Sequence, residues 1–214
     1  LPPYVELSGY IFQDEGEIKY FNETRWNEVI RTNNEPIRIP RNTEGIQFIN
    51  YKINRELLPC LEEFMHMSEL MLFFSSIEES ETEELVVAIR GSQLRNRLKF
   101  LRIGQFDNPN EQCVAAVFLQ TEYRQLREFG LCNITATKKT AKLLLRFLRM
   151  NRSIKKLELR DSEFPAAFGD QLIAVVEEDL PLLERVELYN SSLENKQIEI
   201  NEIVEEKRRS TGRE

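Results

Sequence analysis

Five short segments carry large apolar residues at relative positions 1, 4 and 6, and they recur at nearly constant intervals. They are Met67/Leu70/Leu72, Leu98/Leu101/Ile103, Leu126/Phe129/Leu131, Ile154/Leu157/Leu159 and Leu183/Val186/Leu188, with starts separated by 31, 28, 28 and 29 residues. Positions 4 and 6 lie two residues apart and so on the same side of an extended strand. Three segments add a large apolar residue at position 11: Ile77, Phe164 and Leu193. One short strand cannot bury its apolar side alone, so the pattern demands several strands sharing one core.

The intervals read as helices. In 138–151, Ala141, Leu144, Leu145 and Leu148 fall on one helical face, with Thr137 placed as an N-cap. Cys113, Val114, Val117 and Phe118 make a similar stripe in 110–122, where Asn110 is the cap candidate. Leu172, Ile173 and Val176 do so in 166–178, and Leu85, Val86 and Ile89 in 80–90. Ser80 and Glu83 have capping-box spacing. A short helix is expected at 59–64, with Pro59 in its first turn. Strand and helix patterns alternate in phase, which is stronger than either alone.

Residues 144–164, LLRFLRMNRSIKKLELRDSEF, resemble a ribonuclease-inhibitor-like leucine-rich repeat: helix end, Asn-x-Ser, strand. The resemblance covers about 67–193, and Ile46, Ile49, Tyr51 and Asn54 read as a shorter, degenerate unit. It implies an α/β leucine-rich-repeat solenoid, with a short curved parallel sheet on the concave side and helices on the convex side. Similar repeats occur in tropomodulin-like proteins and in F-box substrate adaptors. The resemblance therefore implies a protein-interaction adaptor or scaffold, or the substrate-recognition part of an F-box ubiquitin-ligase subunit, although no F-box is recognisable. The family's Asn or Cys at position 9 is replaced by Ser75, Phe106, Ile134, Ser162 and Ser191. Serine supplies part of that hydrogen bonding; Phe106 and Ile134 do not, so those two turns are expected to differ. The chain divides into an N-terminal cap or atypical repeat (1–45, with Tyr4, Tyr10, Phe12, Tyr20, Phe21 and Trp26), repeats (46–193), and a C-terminal cap with a charged tail (194–214), anchored by Ile198, Ile200, Ile203 and Val204.

The net charge of −7 argues against a nucleic-acid binder. The alternative of nucleic-acid or nucleoprotein binding rests on Lys155, Lys156, Arg160 and Arg185, and the interleaved Glu158 and Glu187 weaken it. Three cysteines, Cys60, Cys113 and Cys132, do not read as a disulfide framework, which favours a reducing, intracellular setting, cytoplasmic or nuclear. No apolar run approaches the roughly 18 residues that span a bilayer. Residues 1–10 show no basic region followed by an apolar stretch, so no signal peptide is expected. The sequons at Asn22, Asn133, Asn151 and Asn190 read as incidental.

Catalytic patterns are lacking. His66 is the lone histidine, no phosphate-cradling glycine loop or Cys-x-x-Cys pair occurs, and the run Glu78, Glu79, Glu81, Glu83, Glu84 reads as a solvated helix start. The expectation is a protein that is not an enzyme and has no cofactor or metal.

Strand side chains alternate, so positions 3, 5 and 7 project away from the core. From them the candidate partner-binding residues are Met71, Phe73, Phe100, Arg102, Lys156, Glu158, Arg160, Arg185, Glu187 and Tyr189. Aromatic residues, Met and Arg are enriched in protein interfaces. The alternative is an ordinary solvated strand surface, with the N-terminal segment covering Met71 and Phe73. Cys132 would also lie on this surface, with nothing nearby in sequence to lower its pKa.

Overall fold

The computed structural model describes residues 2–7, 11–23, 25–29, 37–104, 112–210 and 212. Strands β1 (Tyr4–Leu7) and β4 (Ile37–Pro40) pair antiparallel as a separate small sheet. Strands β2 (Ile11–Asn22) and β3 (Arg25–Val29) form an antiparallel pair, and β2 continues antiparallel onto β5 (Gly45–Ile53). From β5 the ladder runs parallel through β6 (Glu69–Phe73), β8 (Phe100–Gly104), β9 (Glu128–Cys132), β10 (Lys156–Glu158) and β11 (Arg185–Glu187). The two-residue β7 (Ser76–Ile77) pairs with the far end of β5.

This corrects the expectation of a leucine-rich-repeat solenoid. The described residues form a mixed α/β fold around one open sheet of nine strands, mostly parallel, with antiparallel strands at one end. Its strands range from β2's twelve residues to three in β10 and β11 and two in β7, so no uniform unit repeats. The apolar spacing dictates which side of each strand faces the core; it does not dictate that whole units recur.

The phase itself holds. Leu70, Leu101, Phe129, Leu157 and Val186 lie in one register across the parallel strands and are buried, as are Leu72, Ile103 and Leu131 in the next row. The position-1 residues Met67, Leu98, Leu126, Ile154 and Leu183 are buried too, with Ile77, Phe164 and Leu193 at position 11. Each such side chain contributes roughly 2 kcal/mol of transfer free energy. In β5 the expected positions are shifted by three residues, an odd number, since Ile46, expected at position 1, stands at position 4. Ile46 and Phe48 pair with Leu70 and Leu72 in the core, while Ile49 pairs with Phe73 on the opposite face. A one-residue slip exchanges the faces of a strand.

Helices α2 (Thr82–Gly91), α4 (Gln112–Phe118), α5 (Lys138–Met150), α6 (Phe168–Asp179) and α7 (Gln197–Ser210) send their apolar residues into the same core. Thr137 caps α5, its Oγ1 accepting from Thr140 N at 3.1 Å. The Ser80–Glu83 capping box does not form: Ser80 lies in a 3-10 turn, Glu79–Glu81, and α2 begins at Thr82. Asn110 lies outside the described residues. Helix α1 (Leu57–Glu62) starts before Pro59, with Asn54 Oδ1 accepting from the amides of Glu56 and Leu57, both at 3.1 Å. A four-residue helix, α3 (Leu94–Arg97), precedes β8. Of the expected C-terminal anchors, Ile200 and Val204 are buried and Ile203 packs partly, but Ile198 is exposed.

One left-handed residue lies within β5 and one follows each of β6, β9, β10 and β11. Asn50, Phe74, Asn133, Asp161 and Asn190 have φ of 54°, 49°, 52°, 51° and 53°. These are left-handed conformations that Asn and Asp tolerate and Phe does not. The serines that follow satisfy the turns. Ser162 Oγ donates to Arg160 O at 2.7 Å and accepts from Ile134 N at 3.2 Å. Ile134 is itself buried, so its turn borrows the hydroxyl of the next strand. Ser75 Oγ donates to Phe73 O at 3.1 Å. Phe106 lies outside the described residues.

Asn151, of the sequon Asn-x-Ser, is buried. Its Oδ1 accepts from Tyr123 N at 2.7 Å, and its Nδ2 donates to Phe147 O at 2.8 Å and Thr121 O at 3.2 Å. At the β11 edge, Gln197 Oε1 accepts from Leu188 N at 2.7 Å and its Nε2 donates to Val186 O at 3.0 Å. Its amide thus occupies the place of a further strand.

Candidate interaction face

Because the helices contribute to the core on one side, residues of opposite phase form the other face of the sheet. Pairing arranges them in rows. One row runs Trp26, Phe21, Gly45, Glu69, Phe100, Glu128, Lys156, Arg185. The next runs Glu28, Lys19, Gln47, Met71, Arg102, Gly130, Glu158, Glu187. A third carries Ile49, Phe73, Gly104 and Cys132, with Arg160 and Tyr189 just beyond β10 and β11.

All ten candidate residues therefore lie on this face, but they are not equally accessible. Met71, Phe73, Phe100, Arg102, Lys156 and Arg160 are half-buried, Arg185 is exposed, and Tyr189 is 42% exposed. Glu158 and Glu187 are buried at 4% and 9% exposure. Cys132 is buried rather than displayed, and burial pushes its thiol pKa up, so it is not activated.

The centre of the face is an ion-pair network. Glu158 accepts from Arg102 Nη2 and lies 3.6 Å from Arg160 Nη2, and Lys156 Nζ also reaches it. Glu187 pairs with Arg185 at 2.7 Å, Lys156 at 3.4 Å and Arg160 at 4.0 Å. Burial by itself would raise the Glu158 pKa, but the Lys156 hydrogen bond and the charges of Arg102, Lys156 and Arg160 together hold it below the ordinary carboxylate range.

Arg102 reaches Glu158 by lying over Gly130: a Cβ there would stand 3.1 Å from Arg102 Cγ and 3.3 Å from Glu158 Oε2. Rings sit beside the network. The Arg102 guanidinium carbon is 5.1 Å from the Phe100 centroid. That of Arg160 is 5.1 Å from the Tyr189 centroid, and its Nη1 donates to the Tyr189 hydroxyl.

Toward β6 the character changes. Glu69 and Glu128 flank Phe100, with no ion pair to either among the described residues. Burial, then Glu128 and Glu44, pushes the Glu69 pKa up.

Two aromatic members of the face fall outside the expected set. Trp26, 38% exposed, packs against Phe21 in a tilted arrangement at 5.5 Å between centroids, and its ring lies over Gly45. Reading 1–45 as a cap or atypical repeat left them off the face, although the polar stretch Asn-Glu-Thr-Arg between Phe21 and Trp26 is a hairpin signal. His66 is exposed on the turn after α1. No helix among the described residues is long and apolar enough to cross a membrane. The sequence matches no profile of a known protein family and none of the characterised proteins compared with it, so the reading of function rests on the geometry of this face.

Proposed function

We propose that this chain is a non-enzymatic protein-interaction module that holds a protein partner against the face of the sheet opposite its helices. The observation that carries the reading is the arrangement of Trp26 and Phe100 on strands of one sheet and of Tyr189 just beyond β11, around a centre whose charges are already paired. Rings fixed on strands lose little freedom on binding, and aromatic anchors dominate interface energetics. The paired centre keeps Arg102 and Arg160 in place beside those rings, so the surface is organised before a partner arrives.

The same pairing disfavours a nucleic acid on this face. Lys156, Arg160 and Arg185 are engaged by Glu158 and Glu187, and Lys155 by Glu184. Cations already neutralised within the protein release few counterions on binding phosphate.

The test is a Phe100→Ala/Tyr189→Ala variant, which leaves the ion pairs at the centre of the face intact. After circular dichroism establishes that both proteins are folded, each is used to capture partners from native extract. A protein retained by the unaltered chain and lost by the variant supports the proposal. A protein retained equally by both sinks it. Charge reversal at Arg102 or Arg160 is a poorer probe, because it would break the Glu158 network and confuse binding with stability.

A further inference from the structure

The sheet face is not the only surface with unusual physics. Helix α5 carries Lys138, Lys139, Lys142, Arg146 and Arg149 and no acidic residue, within a chain whose net charge is −7. All five are exposed, and among the described residues only Arg149 has an ion pair, to Asp179 at 3.2 Å. Lys138, Lys142, Arg146 and Arg149 follow one another at steps of four, four and three residues, which places them on one side of the helix. At 1.5 Å per residue they form a stripe about 16 Å long.

This arrangement is unfavourable for the helix itself. Two lysines stand in the first turn, where the macrodipole disfavours positive charge, and no acidic residue offsets them. Like charges repel at each four-residue step. The helix persists because Ala141, Leu144, Leu145, Phe147 and Leu148 are buried. Elsewhere Arg38, Arg41, Lys52, Lys155 and Lys196 have carboxylate partners, and exposed cations without an ion pair among the described residues, such as Lys99, Arg124 and Arg127, are not lined up along one helix. A stripe that breaks local rules without compensation within the fold is a surface awaiting a counter-charge from outside.

The neighbouring helix limits what that counter-charge is. Packed beside α5, α6 exposes Asp170, Glu177 and Glu178. A broad polyanion, such as a nucleic-acid duplex or an anionic bilayer, would meet this acidic flank together with the stripe. A single acidic peptide segment is narrow enough to follow the stripe alone. We infer that the exposed side of α5 is a second docking surface, on the layer opposite the sheet face, for an acidic protein segment. The inference stands independently of the sheet-face proposal.

The test compares two triple variants that change net charge equally: Lys138→Glu/Lys142→Glu/Arg146→Glu on α5, and Lys99→Glu/Arg124→Glu/Arg127→Glu at exposed, unpaired positions elsewhere. The first places a carboxylate in the first turn of α5, which favours its folding. Binding of a short fluorescein-labelled polyglutamate peptide is followed by anisotropy at low ionic strength, alongside labelled oligodeoxythymidylate and vesicles of phosphatidylserine and phosphatidylcholine. The expected result is that polyglutamate is bound most tightly of the three probes. Its affinity falls about tenfold in the α5 variant and less than about twofold in the control. Equal loss in both variants, no loss, no binding of polyglutamate, or tighter binding of DNA or vesicles would overturn it.

Discussion

Arg102 on β8 and Glu158 on β10 join hands across an entire strand, and they do so because the residue between them on β9 is Gly130. A Cβ at Gly130 would stand 3.1 Å from Arg102 Cγ and 3.2 Å from its Nε, close enough that the arginine would have to give way. Glu158 is buried, while its three cationic neighbours keep roughly a quarter of their side chains in solvent. Removing the shared carboxylate therefore leaves charges that relax partly into water. We expect Glu158→Gln to lower stability by about 2 kcal/mol, less than a fully buried pair would lose. The urea midpoint should fall with little change in slope. A double-mutant cycle with Arg102→Met should give a coupling of roughly 1 kcal/mol.

Two carboxylates on the same face should respond to pH with opposite sign. The pKa of Glu158 is depressed in the folded chain, so its contribution is present above the ordinary value of 4.5 and is lost as pH falls through the folded value. The pKa of Glu69 is raised, so its contribution is present below 4.5 and is lost as pH rises through the folded value. Near neutral pH, then, ionised Glu69 is a burden. Glu69→Gln should stabilise the protein by roughly 0.5–1 kcal/mol at neutral pH, and the gain should vanish on acidification. Denaturation across a pH series measures both signs.

Phe74 holds φ at 49°, in the turn position that Asn50, Asn133, Asp161 and Asn190 fill elsewhere. A bulky residue there is strained by about 1 kcal/mol or more. Phe74→Asn is expected to raise the thermal midpoint, because Phe74 is only half-buried and gives up limited packing. Asn190→Phe, the reverse exchange at an exposed turn, should lower it by a similar amount.

Gln197 closes the β11 edge through both ends of its amide. Gln197→Ala should cost about 1–2 kcal/mol and speed hydrogen exchange at the Leu188 amide selectively. Gln197→Glu keeps the acceptor for Leu188 N and loses the donor to Val186 O, so exchange at Leu188 should rise less than in the alanine variant.

What the sequence made readable was the direction each strand faces. Leu157 and Leu159 could be assigned to the core, and Lys156 and Glu158 to the other side, because alternation is local physics. For the same reason all ten candidate residues share one face. What stayed hidden depends on partners far away in the chain. The crossing of Arg102 over Gly130 needs the register of three strands. The burial of Glu158 needs Arg102, Lys156 and Arg160 together. The β5 phase failed because Ile49 imitates the apolar spacing while Ile46 and Phe48 face the core, and the left-handed Asn50 breaks the alternation so that Tyr51 and Ile53 are buried again. The repeat architecture failed because equal spacing of apolar side chains is compatible with strands of unequal length and direction in one open sheet.

Alternation along these strands also bears on how such a molecule can change over generations. One set of positions holds the helices against the sheet, and the interleaved set meets the outside. A substitution at Phe100, Arg185 or Tyr189 leaves Leu101, Val186 and Leu188 untouched. New binding preferences can therefore accumulate on a scaffold that need not be reinvented, and the positions least free to drift on the outer set are Gly130 and Glu158, where that surface has acquired an interior of its own.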